Sequence, residues 1–274
     1  MSTNQSLFRG LAMLDAIDGS GESMGIRELA RALDISPSIA QRLANTLVEA
    51  GYLQQIVETR RYRLGYRALA IGSSMVRSDA LYMNAAAELK LLADHRQLNG
   101  YLGVIQQNNV VYLHTVQSSG AIAIRAEAGS RVLAHSTAMG KALIAELPVD
   151  EAQAVLGPAP YAARTARTIT DIDALNRELE AIRKRGYAIS DEENELGIVS
   201  IGAVIRNSQA AAIAAISVAF LTSQHSKKDW AAIANLVVGA AAKCSGALGY
   251  SPNSKPQPLP LRSAGLGATA VKHH

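Results

Sequence analysis

Residues 36–49 constrain this chain more than any other stretch, because two chemically distinct faces alternate there at helical spacing. Asp34-Ile35-Ser36-Pro37 interrupts one helical pattern and opens another, with Ser36 able to cap and Pro37 suited to a first helical turn. Ala40, Leu43, Ala44 and Leu47 then share one face. On the opposite face Ser38, Gln41, Arg42 and Asn45 recur at i, i+3, i+4 and i+7. These side chains bond base edges: arginine suits guanine, glutamine and asparagine suit adenine. A solvated helix face carries the same pattern, so the neighbouring segments decide.

Before this helix the spacing predicts a first helix with Leu7, Leu11, Leu14 and Ile17 on one side and Ser6 as its cap. A glycine-rich turn, GSGESMG, leads into a short helix with Ile26, Leu29, Ala30 and Leu33. After it, Gly51 stops the pattern, and YLQQIV and RYRL read as strands around the polar tip Glu58-Thr59-Arg60. Helix, turn, helix and basic hairpin form the layout of a winged helix-turn-helix. There is no lysine in residues 1–80, so arginine carries every cationic contact available there apart from the N-terminus. Arg60, Arg61 and Arg63 are expected beside phosphates or in the minor groove, and Ser36, Ser38, Gln41, Arg42 and Asn45 at the groove edge.

Length and charge agree with this division. A chain of 274 residues is expected to hold about two domains, and 49% hydrophobic with 18% charged residues implies packed cores rather than global disorder. The net charge of +4 is local: residues 36–67 and 249–274 each carry +3, leaving −2 elsewhere. The proline-rich end, residues 249–274, is expected to be disordered, and His273 and His274 carry no functional expectation because a purification tag and a natural end both fit them. One cysteine, Cys244, makes no internal disulfide. The start shows no signal-peptide pattern, and the longest apolar runs, AAAIAAISVAFL and AAIANLVVGAAA, fall short of the ~18 residues of a membrane span. A cytoplasmic protein with no membrane partner is expected.

From Gly65 to Leu98 the pattern is helical, with Tyr82, Ala85, Ala86, Leu89 and Leu92 forming a stripe that suits either a dimer seam or an intrachain core. YLGVIQ, VVYLHTVQ and AIAIRAE then read as an antiparallel meander. A helix begins near Ser136, and another follows the capping-box pattern Thr170-x-x-Asp173, carries Ile172, Leu175, Leu179 and Ile182, and closes at Gly186. Two strands, SIGAVIR and AAIAAISVAF, precede a last helix capped by Ser226 and Asp229. The fold class expected is α+β. In these strands Ser200, Gly202 and Val204 share one face, as do Ile213, Ala215, Ser217 and Ala219. Small faces carrying serine suit a ligand cavity and equally suit close helix packing. The exposed amides at a helix start near Ser136 offer a place for a carboxylate, with Ser136 as an ordinary cap the alternative.

Catalysis fits poorly. Asp191, Glu192, Glu193 and Glu195 make an acidic run of the kind usually found in a solvated turn. His114, His135, Ser136 and Cys244 supply parts of a nucleophilic set without the G-x-S-x-G context of a hydrolase. His114 and Cys244 read as core residues. No metal site, catalytic residue or cofactor is expected, and the chain is not expected to be an enzyme. A ligandless architectural or interaction protein that binds DNA is the other alternative.

SLFRGLAMLDAI, IRELARALDISPSIAQRLANTLVEAGYL and RYRLG, with LAHSTAMGKALIAELP and GYAISDEENELGIVSIGAVIRN, resemble landmarks of the IclR (isocitrate lyase regulator) family of bacterial transcription factors over residues 6–247. In the last, Gly186, Ser190, Glu193, Ser200, Ile201, Gly202, Ile205 and Asn207 fall at the family's intervals, while Arg206 stands where an aromatic or small residue is usual. The resemblance implies a winged helix-turn-helix over 1–66, linker helices over 67–97 and a GAF-like effector-binding domain over 98–248. It implies a homodimer or tetramer on a pseudo-palindromic double-stranded DNA operator, and a small-molecule effector, commonly a carboxylate. The family's effector positions fall on Val132, Ala138, Met139, Ser190, Ser200, Ser217 and Ala219. Ser190 replaces a frequent aspartate and Ala219 a hydroxyl of some members, which points to a larger or more apolar acid, aromatic included. The function implied is a ligand-responsive regulator of a catabolic operon.

Overall fold

Asn4 starts the first helix: its side-chain oxygen accepts the Leu7 N–H at 3.0 Å, so α1 spans Gln5–Ser20 and its cap is Asn4 rather than Ser6. The computed structural model describes residues 4–96, 98–118, 124 and 126–252, in two units that divide between Asp79 and Ala80. The disordered tail expected for 249–274 lies, from 253 onward, outside the described residues.

In the first unit α1 is followed by α2 (Ile26–Ala32) and α3 (Pro37–Glu49), then β1 (Leu53–Gln55), β2 (Tyr62–Leu64) and α4 (Tyr66–Ser78). Ser36 caps α3 by accepting the Ile39 N–H, with Pro37 in the first turn. β1 and β2 pair antiparallel, and Met24 bridges to Tyr62 through two backbone hydrogen bonds of 2.9 and 2.8 Å. The core gathers Met13, Ile17, Leu29, Ala40, Ala44, Leu53 and Tyr62. The apolar face of α3 is therefore spent inside this unit, which leaves its other face outward.

The second unit begins with α5 (Ala80–Arg96), β3 (Asn99–Gln106), β4 (Asn109–Val116) and β5 (Arg131–Leu133). A 3-10 turn, Ala134–Ser136, leads into α6 (Ala138–Ala145), α7 (Val149–Leu156) and α8 (Ile172–Arg185). β6 (Ala188–Asp191), β7 (Ile198–Arg206), β8 (Ala212–Leu221) and α9 (Trp230–Ala247) complete it. Among the described residues the sheet runs β5-β4-β3-β8-β7-β6, antiparallel throughout. The expected meander is present as β3 and β4, while most of AIAIRAE lies outside the described residues.

Side-chain alternation divides the sheet into two packed faces. Val199, Ile201, Ala203, Ile205, Ile216, Val218 and Phe220 pack with α5 and α9. Tyr101, Val110, Ala215 and Ala219 lie with α6 and α8 on the other side. The stripe Ala85, Leu89 and Leu92 is buried in the first of these cores, so it is an intrachain face and not a dimer seam. α9 is the one helix among the described residues with the length and hydropathy of a membrane span, and its Ile233, Val237, Ala240, Ala241 and Cys244 are buried in the same core.

Several caps sit one or two residues from their expected places. Thr137, not Ser136, caps α6, its hydroxyl accepting the Gly140 N–H at 3.3 Å. Asp171, not Thr170, caps α8 by accepting the Ala174 N–H at 2.8 Å. The Asp229 carboxylate accepts from the Ser226 N–H and hydroxyl instead of capping α9. A register shift at Ile205/Arg206 turns Ile213 off the small face of β8 and packs it with the α5–α9 core.

Gly140 sets how closely α6 can lie on the 3-10 turn. A Cβ there would stand 2.1 Å from the Ala134 carbonyl oxygen and 2.4 Å from its Cα, both backbone atoms. Gly140→Ala is expected to destabilise the second unit by at least ~2 kcal/mol in urea unfolding; an unchanged midpoint would mean that α6 is free to slide.

Candidate functional site

On α3, Ser38, Arg42 and Asn45 are exposed and Gln41 is half-buried, so the four polar residues occupy one outward edge. The Arg42 guanidinium makes no hydrogen bond or ion pair among the described residues, which leaves its charge and planar donor fork available. Ser36 and Ser38 hydroxyls lie 3.0 Å apart at the start of the helix. Gln41 Nε2 donates to Asn45 Oδ1 and to the Tyr62 hydroxyl, both at 2.8 Å.

The three hairpin arginines behave differently from one another. Arg60, exposed and at φ 54°, closes the tip through its backbone and leaves its side chain unpaired among the described residues. Arg63 donates to Gln54 Oε1 at 3.0 and 3.2 Å, a neutral partner that leaves its charge intact. Arg61 folds back: it pairs with Glu28 at 2.8 Å and donates to the Ser23 carbonyl and hydroxyl. The Gly25 N–H, and then Arg61, hold the Glu28 carboxyl below its usual range. Arg61 thus ties the hairpin to α2, and its charge is balanced, contrary to its expected place among the free cations. Arg27 and Arg31 on α2, not among the residues expected at DNA, line a groove with Asp34 and Pro37 beside the start of α3.

In the second unit a cavity of about 470 Å³ opens on the small face of the sheet. Val132, Ala138, Met139, Ser190, Ser200, Ser217 and Ala219 all line it. Gly202, between them, has the other use that a small residue suggests: a Cβ there would lie 3.1 Å from Ala138 C and Met139 N, so its absence seats the start of α6. The small face thus serves cavity and close packing at once.

The polar groups in this cavity differ in availability. Ser190 donates its hydroxyl to the Ser136 carbonyl at 2.8 Å. Ser200 and Ser217 hydroxyls, and the Ala138 and Met139 N–H groups at the start of α6, have no partner among the described residues. Tyr101, Tyr112, Ile124, Arg131, Arg164 and Asn194, none of them singled out from sequence, also line the walls. The two tyrosine rings stand 5.4 Å apart, and Tyr101 donates to the Ile124 carbonyl at 2.9 Å. Burial pushes the Tyr112 hydroxyl up to about 12 and raises Tyr101 further, so both stay neutral donors near neutral pH.

Behind the cavity lies a charge pair that the acidic run concealed. Glu193 is buried, not solvated, and Lys141 of α6, with no exposed side-chain area, forms an ion pair with it. Glu178 stands 3.8 Å from the same ammonium. Burial raises the Glu193 carboxyl above its usual range, and Lys141 opposes that shift. Neighbouring Asn194 and Glu195 line the cavity, so this pair anchors one of its walls.

The residues weighed for catalysis are engaged elsewhere. His135 Nε2 bonds the Ala162 carbonyl at 2.9 Å, and burial lowers its pKa. Ser136 Oγ donates to Asn194 Oδ1 at 3.3 Å, His114 Nδ1 shares a 2.7 Å hydrogen bond with the Tyr82 hydroxyl, and Cys244 is buried.

Comparisons with known proteins match both units. A family model described as the IclR helix-turn-helix domain matches residues 6–56, and one described as the C-terminal region of the bacterial transcriptional regulator IclR matches residues 73–246. The chain is 30% identical over 246 residues to the HTH-type transcriptional regulator XynR of Escherichia coli, covering 90% of this chain and 98% of that one. It is 29% identical over 216 residues to the E. coli transcriptional repressor IclR, covering 78% and 79%. The crystal structure of Thermotoga maritima IclR superposes with a TM-score of 0.72 at 28% identity, covering 90% of this chain and 100% of that one. An IclR homolog from Microbacterium hydrocarbonoxydans, solved in complex with 4-hydroxybenzoate, has the same fold, with a TM-score of 0.77 at 22% identity and coverage of 89% and 99%.

Proposed function

This chain belongs to the IclR family of bacterial transcriptional regulators and is a ligand-responsive DNA-binding regulator; we propose that its effector is a carboxylic acid with an aromatic or similarly bulky apolar body. The observation that carries this reading is the cavity itself. Tyr101, Tyr112, Met139 and Ala219 offer apolar surface, while the unpaired Ala138 and Met139 amides and the Ser200 and Ser217 hydroxyls offer donors suited to a carboxylate. Ser38, Gln41, Arg42 and Asn45 would meet base edges, with Arg60 and Arg63 on the phosphates.

The regulator acts as a homodimer or tetramer on a pseudo-palindromic operator of a catabolic operon. Tyr66, Leu69 and Met75 of α4, a helix with no buried residue, and Leu7, Phe8 and Leu11 of α1 give it apolar surface for self-association. The effector shifts the population of the DNA-competent form by binding the two forms with different affinity.

Thermal unfolding with a panel of small molecules tests the effector class. Benzoate and 4-hydroxybenzoate are expected to raise the melting temperature of the second unit, and benzamide, of the same shape without the charge, is not. An upshift with benzamide equal to that with benzoate would remove the carboxylate from the reading.

A further inference from the structure

We infer that Tyr62, a residue of the hairpin, is a positioning residue that limits Gln41 to reading a base through its carbonyl oxygen alone. The inference rests on the proposed placement of Gln41 at the DNA edge. Both hydrogens of the Gln41 amide are occupied: Nε2 donates to Asn45 Oδ1 and to Tyr62 Oη, each at 2.8 Å. Asn45 lies one helical turn along α3 and is exposed. Tyr62 is the fixed member of the set. It is only 1% exposed, packs in the core with Ala40 and Ala44, and is locked by its strand pairing with Gln55 and by its double bridge to Met24. Its hydroxyl is the tip by which a core residue reaches the outward face of the helix.

A free glutamine reads adenine with both ends of its amide, accepting from N6 and donating to N7. With Nε2 committed, only Oε1 remains. A lone acceptor in the major groove matches the exocyclic amine of adenine or of cytosine and rejects guanine and thymine. Gln41 therefore specifies an amino base rather than adenine, and the hairpin sets this readout without touching the base. Removing the Tyr62 hydroxyl releases one Nε2 hydrogen and restores the two-ended contact.

The test uses the full-length protein and duplexes selected from a randomised library, with affinities measured on single-base variants of the selected site. Gln41→Ala identifies the base position concerned, since only there does it flatten the preference. The wild type is expected to bind adenine and cytosine duplexes at that position about equally. Tyr62→Phe, which keeps the ring and its packing, is expected to favour adenine by about tenfold. Asn45→Ala, at an exposed helix position, frees the other hydrogen and is expected to move the ratio the same way, which keeps the inference testable should Tyr62→Phe fold poorly. An adenine-only preference in the wild type, or an adenine-to-cytosine ratio unmoved in both variants, overturns the inference and leaves Gln41 as a base reader. A Gln41→Ala protein with an unaltered selected site overturns the placement of Gln41 itself, and the inference with it.

Discussion

Lys141→Met is expected to lower the unfolding free energy of the second unit by about 3–5 kcal/mol, because it strands the buried Glu193 carboxylate without its partner. The double variant Lys141→Met/Glu193→Gln is expected to recover much of that loss, since what costs most is a buried charge without its partner rather than the absence of the pair. The pH dependence gives an independent readout. Burial raises the Glu193 carboxyl and Lys141 opposes the shift, so removing Lys141 leaves an acid that binds its proton more readily folded than unfolded. Such a group favours the folded state as protons become available. The deficit of Lys141→Met is therefore expected to narrow as pH falls toward and through the raised Glu193 pKa. Urea unfolding across pH measures it, and a single-variant loss below about 1 kcal/mol would show that water reaches Glu193.

Ser217→Leu is expected to abolish the response to effector while leaving DNA affinity unchanged. Ser217 sits in mid-sheet, paired with Tyr101 on one side and Gly202 on the other, and its side chain stands on the cavity face. Leucine there removes a free donor and fills space between the neighbouring strands. The melting-temperature upshift given by an aromatic acid should disappear in this variant. A retained upshift would move the effector to another part of the molecule.

What the sequence disclosed and what it hid divide along a physical line. The sorted faces of α3, its Ser36 cap and its Pro37 start are local, set by a period of 3.6 and by chemistry within one turn. The alternation in β7 and β8 is equally local, and it placed Ser200, Ser217 and Ala219 on one face. Cap positions slipped where two capping residues stand side by side, as at Ser136-Thr137 and Thr170-Asp171, since backbone geometry rather than residue type chooses between them. The Lys141–Glu193 pair joins residues far apart in sequence, and a run of four acids says nothing about which one turns inward. Arg61 is similar: three nearby arginines look alike until Glu28 and Ser23 are seen to capture one. Tyr101 and Tyr112 read as ordinary strand residues because only the pairing of β3 with β4 brings their rings to one cavity.

If α3 reads DNA sequence with its outer edge, Arg42 is the side chain whose loss shows it most directly. Fluorescence anisotropy of wild type and Arg42→Ala, on a duplex selected by the wild type and on an unrelated duplex at the same salt, gives the answer. The predicted result is a loss of about 1–3 kcal/mol on the selected duplex, with much smaller change on the unrelated one. Equal affinities of the two proteins for the selected duplex would contradict it.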